Sequence, residues 1–274
     1  MLETLYGIFL DSGNAVATTW IGVFVMSMTL LALSRFFKRV RQLKIQKRKY
    51  VSSTFRHEII WSALNIGITS FVLTQYSSWL VDHDYLQTHT ESAAWYVVLF
   101  EFALYFFLYD FYFYCVHRLI HVEPLYKSIH KTHHFSTSPN PLSSSSMTPI
   151  EGIAEGFAIP TFLALVTVHE ASSYLIIPFA TLMGLYVHCG YEIMPRWWYK
   201  SRLTSWFITP MFHDQHHQFF RFTMVHIPRS GTGYLTPFAQ DLIRVSSGSR
   251  RAEQQGSSPV PVRAHQYRRW FPAR

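Results

Sequence analysis

The sequence is poor in charge and poorer in cysteine. Asp, Glu, Lys and Arg make up 15% of its 274 residues, and its two cysteines are Cys115 and Cys189. Two cysteines so placed form no CxxC pair, disulfide framework or iron–sulfur ligand set. The chain also lacks a GxGxxG dinucleotide fingerprint, a haem-attachment motif and the HExxH of a zinc protease. Any electrons it uses must therefore come from another protein. Its net charge of +8 is concentrated at one end. Residues 223–274 hold eight Arg against Asp241 and Glu253, so 8 − 2 = +6 of that total lies there. The rest is nearly balanced, which leaves nucleic-acid binding without support.

In place of charge there are long apolar runs. Hydrophobic residues reach 49% and aromatics 17%. Residues 15–34 carry no charge, and runs at 59–81 and 94–116 follow, the latter interrupted by Glu101 and Asp110. Residues 153–187 are long enough for two short passes, with His169 and Glu170 near the middle. Stretches of this length span a bilayer, and four of them predict an all-α integral membrane helical bundle. The first run reads as a retained anchor, since Glu3 and Asp11 stand where a signal peptide would be basic. Arg35, Lys38, Arg39, Arg41, Lys44, Lys47, Arg48 and Lys49 follow that run, which places this loop on the cytoplasmic side. The acidic loop with Asp82, Asp84 and Glu91 then faces the opposite side, and the third run returns to the cytoplasm.

That third run ends in the first of three histidine clusters: His117-Arg-Leu-Ile-His121, His130-Lys-Thr-His133-His134 and His213-Asp-Gln-His216-His217. With 15 His in 274 residues, an HxxHH pattern arises by chance about once in 6000 start positions. Two in one chain point to function. Residues three and four apart share a helical face, and neutral imidazole suits iron, zinc, copper or nickel. The topology brings all three clusters, and His188 after the last run, to one cytoplasmic cap. Asp110, Tyr114, His117 and His121 form one helical stripe, so Asp110 is a candidate to orient a ligand imidazole from outside. Glu151 reads equally as such a carboxylate or as a helix N-terminal charge. His57, His83, His89, His169, His226 and His265 lack cluster spacing and read as ordinary histidines. A single catalytic zinc needs only three ligands, and the pattern is not the two-His-one-carboxylate triad of mononuclear iron oxygenases. A dinuclear all-imidazole iron site that activates O2 accounts best for the count.

These motifs carry a resemblance. The run Asp110-x-x-x-Tyr114-x-x-His117-Arg118-x-x-His121 is followed by His130-Lys131-x-His133-His134 and Pro149-x-Glu151. Then come His188-x-Gly190-Tyr191-Glu192 and His213-x-x-His216-His217. Together they resemble the fatty acid hydroxylase/sterol desaturase superfamily of membrane-bound di-iron oxidases, C-5 sterol desaturases among them. The resemblance implies a membrane domain over residues 1–222 with a cytosolic cap holding two iron ions, for which zinc substitutes on overexpression. It implies His117, His121, His130, His133, His134, His188, His213, His216 and His217 as ligands, with Asp110, Glu151 and Glu192 behind them. No catalytic residue separate from the ligands is expected. It further implies O2 as co-substrate and a sterol, fatty acyl or related lipid as substrate. The electron donor would be of cytochrome b5 or ferredoxin type. The location is the endoplasmic reticulum in a eukaryote or the inner membrane in a bacterium. One departure is Thr148, where many members have His before Pro-x-Glu. A membrane b-type cytochrome is an alternative, and a damaged, non-catalytic member of the superfamily is another.

The second of these arises from residues 223–274, where Ser, Gly, Pro, Gln and Arg take over, no apolar periodicity survives and a disordered tail is expected. Members of the superfamily continue past the last HxxHH with a stretch resembling NYGxYTxIWDRLF. Here Thr223 to Leu235 reads TMVHIPRSGTGYL. One permitted codon string for these residues, with a single A restored in front, encodes NYGAYTSIWDRLF. The tail is therefore expected to be translated out of frame.

Overall fold

The computed structural model describes residues 12–46, 52–195, 197–198, 201, 203–204 and 207–219. Residues 223–274, with the expectations of disorder and an altered frame, lie outside the described residues. Each apolar run forms helix: α1 is Ser12–Phe36, α3 Ser52–Asp82, α4 Trp95–Ile120 and α7 Glu170–Val187, with the short α2, Lys38–Gln42, after α1. Three of these, α3, α4 and α7, are long and apolar enough to cross a membrane. At 1.5 Å per residue the 26 residues of α4 reach about 39 Å, more than a bilayer core of about 30 Å. Their outward faces remain apolar: Phe71, Phe100, Phe107 and Phe111 are each more than 60% exposed. A water-soluble bundle would not carry such a surface. The chain is an integral membrane helical bundle.

The run at 153–187 divides into two helical arms, of which only the second is by itself long and apolar enough to cross a membrane. The first is made of α5 (Pro149–Gly156) and α6 (Ala158–Leu165), and the second is α7. Between them the chain reverses at Val168–His169 (β2), which pairs in parallel with Thr88–His89 (β1). His169 caps α7 by accepting from Ala171 N, and Glu101 inside α4 accepts from His169 N and Ser172 Oγ. These bonds close the end of the bundle where Leu80, Leu86, Tyr105, Leu163, Val168 and Ile176 form the apolar core.

At the other end, α3 turns a polar face inward. Glu58, Ser62, Asn65 and Thr69 are spaced by four, three and four residues, one side of a helix. Glu58 is fully buried and accepts from Ser136 Oγ and Asn140 Nδ2, Ser62 donates to Leu142 O, and Asn65 donates to Ser145 O. This row grips residues 136–146, and α5 packs against its continuation at Gly152 and Gly156. There a Cβ would lie 2.0 Å from Asn65 Oδ1 and 2.5 Å from Leu73 Cδ1 respectively.

Candidate metal centre

Four stretches of chain deliver the histidines to this end. The last turn of α4 carries His117 and is capped by His121. The chain then makes one wide π turn over Tyr126–His130, closed by Lys131 N donating to Tyr126 O, and a 3-10 turn over His133–Phe135. Single π turns often mark functional sites, and this one turns His130 inward. His188 caps the C-terminus of α7, and α8, Pro210–Phe219, carries His213, His216 and His217.

The imidazoles gather into two groups. His117, His121, His130 and His216 place one nitrogen each within 4.8 Å of one another, and so do His133, His188, His213 and His217. In the first group, Nε2 of His216 lies 3.0 Å from His117 and 3.1 Å from His121, which are 3.2 Å apart. In the second, Nε2 of His188 lies 2.7 Å from His213 and 3.3 Å from His133, and His213 to His217 is 3.0 Å. His134 sits at the seam, with Nε2 2.9 Å from that of His130 and its ring centroid 4.7 Å from His217. All nine histidines expected as ligands are thus brought together. Except for His121, which is partly exposed, all are buried.

Hydrogen bonding does not account for this convergence. Nδ1 of His133 and of His188 each meets a carbonyl, Ser146 O at 3.3 Å and Gly184 O at 2.8 Å, and a carbonyl only accepts. Both Nδ1 atoms therefore carry the proton, and in a neutral ring Nε2 is then a lone pair. Two lone pairs 3.3 Å apart repel unless a cation lies between them. Burial, reinforced by neighbouring imidazoles, pushes the proton affinities of His133, His134, His213 and His217 well below the ordinary histidine value, and burial brings His188 to about 4. Protonation thus does not relieve the repulsion at neutral pH. Imidazole nitrogens bound at about 2.0–2.1 Å around one ion lie about 3 Å apart, so the donor set fits two transition-metal ions. Haem takes only two axial imidazoles, from opposite sides, and four converging on one point leave no slot for its plane.

The surroundings differ in part from the sequence reading. Glu151 is fully buried in the first turn of α5 and accepts from His130 Nδ1 at 2.6 Å, so it both meets an imidazole and stands at the helix N-terminus. Asp110 is exposed, two turns below His117 on α4, and among the described residues it is not joined to an imidazole. Glu192 meets no imidazole among the described residues; its carboxylate accepts from Thr209 Oγ1, Met211 N and Met194 N. Thr148 donates to Ile129 O and caps α5 by accepting from Glu151 N. Glu155, one turn beyond Glu151, was not singled out from the sequence, and its Oε1 lies 3.8 Å from His117 Nδ1. The spacing of four from Glu151 was its only signal. Residues 43–46 pack across 190–192 through Ile45 N to Gly190 O and Glu192 N to Leu43 O, and Gln46 donates to Asp214 Oδ1. His57 stays outside both groups, stacked on Phe135 with its Nε2 against Thr132 O.

The chain is 33% identical over 125 residues to methylsterol monooxygenase 2-2 of Arabidopsis thaliana, covering 46% of each. It is 33% identical over 124 residues to a very-long-chain aldehyde decarbonylase of Oryza sativa subsp. indica, covering 45% of this chain and 46% of that one. It is 23% identical over 214 residues to a Delta(7)-sterol 5(6)-desaturase of Gibberella zeae, covering 78% and 64%. The alignments thus span about half the length of the first two relatives. No solved structure matches. The fatty acid hydroxylase family model matches residues 102–227, the stretch that holds every histidine of both groups.

Proposed function

We propose that the chain is an O2-dependent lipid oxidoreductase that holds two iron ions and hydroxylates or desaturates an unactivated C–H bond of a sterol, fatty acyl or related lipid. The observation that carries this reading is the convergence of buried, neutral Nε2 lone pairs into two adjacent groups at one end of a membrane bundle. When bound, the two irons supply the O2-reducing and C–H-oxidising chemistry. The nine histidines hold and tune them, and none is needed as a separate acid or base. Glu151 fixes the tautomer of His130, and the Ser146 and Gly184 carbonyls fix those of His133 and His188. Substrate arrives from the bilayer. Phe102, Phe106 and Phe113 lie along one stripe of α4, and the ring of Phe113 stacks on His117 with centroids 5.4 Å apart. Phe106 meets Phe179 of α7 and Phe207. A hydrocarbon chain along this stripe stays in apolar contact up to the first group. Electrons come from a cytochrome b5- or ferredoxin-type donor, and the basic loop at 35–49 puts the centre on the cytoplasmic side of the endoplasmic reticulum or bacterial inner membrane.

The test is expression of the full chain with a reductase system and a lipid extract, with products analysed by mass spectrometry. The expected product has gained one oxygen atom or lost two hydrogens. It should vanish in His117→Ala, His133→Ala and His216→Ala, each of which should also bind fewer than the two metal ions per chain of the parent. Full metal occupancy in all three variants, or a purified chain with a Soret band, would overturn the reading.

A further inference from the structure

The two groups of imidazoles differ in what stands behind them. In the first, the outward nitrogens of two ligands face carboxylates: His130 Nδ1 lies 2.6 Å from Glu151 Oε1, and His117 Nδ1 3.8 Å from Glu155 Oε1. Both glutamates lie on one face of α5, four residues apart, and the His117 and Glu155 side chains are 4% and 13% exposed. His117 Nδ1 and Glu151 Oε2 have no hydrogen-bond partner among the described residues. In the second group, His133 and His188 face the neutral carbonyls of Ser146 and Gly184. Of the carboxylates closest to that group in the chain, Asp214 accepts from Gln46 Nε2 at 2.7 Å. The other, Glu192, accepts from Thr209, Met211 and Met194 at the start of α8 and meets no imidazole among the described residues.

Either partner orients a ligating imidazole and raises its basicity, and an ionised carboxylate, carrying a full charge, does so more strongly than a neutral carbonyl. It also offsets locally the charge of a buried divalent cation. We propose that the two metal positions are inequivalent by construction. Glu151 and Glu155 are positioning residues that make the group of His117, His121, His130 and His216 the tight position. The group of His133, His188, His213 and His217 is the exchangeable one. This rests on the two-metal reading above and adds to it an order of loading: the first ion enters the carboxylate-backed group and the second completes the centre.

The experiment uses the full chain in detergent, loaded with Zn2+ and stripped by a graded series of chelator concentrations, with metal per chain read by elemental analysis. The parent should release about one ion early and hold the second at least tenfold more tightly. His188→Ala should keep the tightly held ion, and His117→Ala should keep only the loosely held one. Removing one such outer partner typically weakens affinity about ten- to a hundredfold. Glu151→Gln, which keeps shape and an acceptor for His130 but loses the charge, should weaken the tight ion by that much. Glu155→Gln should weaken it less, in keeping with its longer distance. Neither should change the loose ion. Release of both ions in one step from the parent, or equal weakening of both ions in the double Gln variant, would overturn the proposal. Should Glu151→Gln not fold, as judged by its thermal transition, the less buried Glu155→Gln carries the same comparison. A parent chain that binds fewer than two ions would instead overturn the two-metal reading.

Discussion

Replacing Gly152 by alanine should loosen the metal centre without touching a ligand. The added Cβ would lie 2.0 Å from Asn65 Oδ1, 2.7 Å from Thr69 Oγ1 and 3.0 Å from Asn65 Cγ. The amide of Asn65 is not free to swing away, because its Nδ2 donates to Ser145 O at 3.0 Å and its Oδ1 accepts from Thr69 Oγ1 at 2.9 Å. Overpacking of this kind costs about 1–3 kcal/mol, and each hydrogen bond lost adds about 0.5–1.5 kcal/mol. Alanine returns about 1 kcal/mol through its better helix propensity, so with both bonds lost the net loss should be about 1–5 kcal/mol. Asn65 anchors the turn that ends at Ser145, and Ser146 O orients His133, so the displaced turn should weaken metal binding in the second group as well. Gly67 on the same helix is the control, since a Cβ there meets nothing within 4 Å. Thermal unfolding in detergent, followed with metal content, should show Gly152→Ala clearly less stable than the parent and Gly67→Ala equal to it or slightly better. Two alanine variants of equal stability would refute the packing argument.

Three further outcomes follow from the fold, the electrostatics and the tail. Cysteines introduced as Lys44→Cys and Ser128→Cys in a Cys115→Ser background should be labelled from the cytoplasmic side and Gln87→Cys from the other. Labelling of positions 44 and 128 from opposite faces would separate the clusters. The metal-free protein should lose stability in acid: burial holds His121 and His188 at about 4 in the fold, against about 6.5 when unfolded. At these two groups the unfolded chain therefore binds more protons between those values, so their contribution to stability is full above pH ~6.5 and falls towards pH 4. Bound metal should shift that loss to lower pH, and a metal-free melting temperature that is flat from pH 7 to 5 would refute it. Sequencing the gene should show that one added A at codon 223 opens a frame encoding NYGAYTSIWDRLF, and an unrelated alternative frame would sink that idea.

Much of this arrangement was legible because membrane and metal write in simple code. Apolar length marked α1, α3, α4 and α7, and the spacing of three and four within each cluster marked the rings that converge. Which carboxylate reaches which ring was not legible. Asp110 shares a stripe with His117, but seven residues of helix separate them by about 10 Å along the axis, and it remains exposed. Glu155 makes the approach instead, from a helix whose sequence gives no sign of how it packs on α4. Glu192 lies four residues beyond His188, yet its bonds run to the start of α8, a contact made only when chain segments 17 and 19 residues apart fold together.

The same limit explains why an asymmetry between the two metal positions is a structural inference. Each histidine cluster contributes to both groups except the first: His130 joins His117, His121 and His216, while His133 joins His188, His213 and His217. A reading by motif assigns one cluster to one metal and so treats the positions as interchangeable. The three-residue step from His130 to His133, taken through a π turn and then a 3-10 turn, sends the two rings to different groups. That division puts the carboxylates of α5 behind only one of them. The functional distinction therefore lies in backbone geometry between identical side chains, where residue type alone carries no signal.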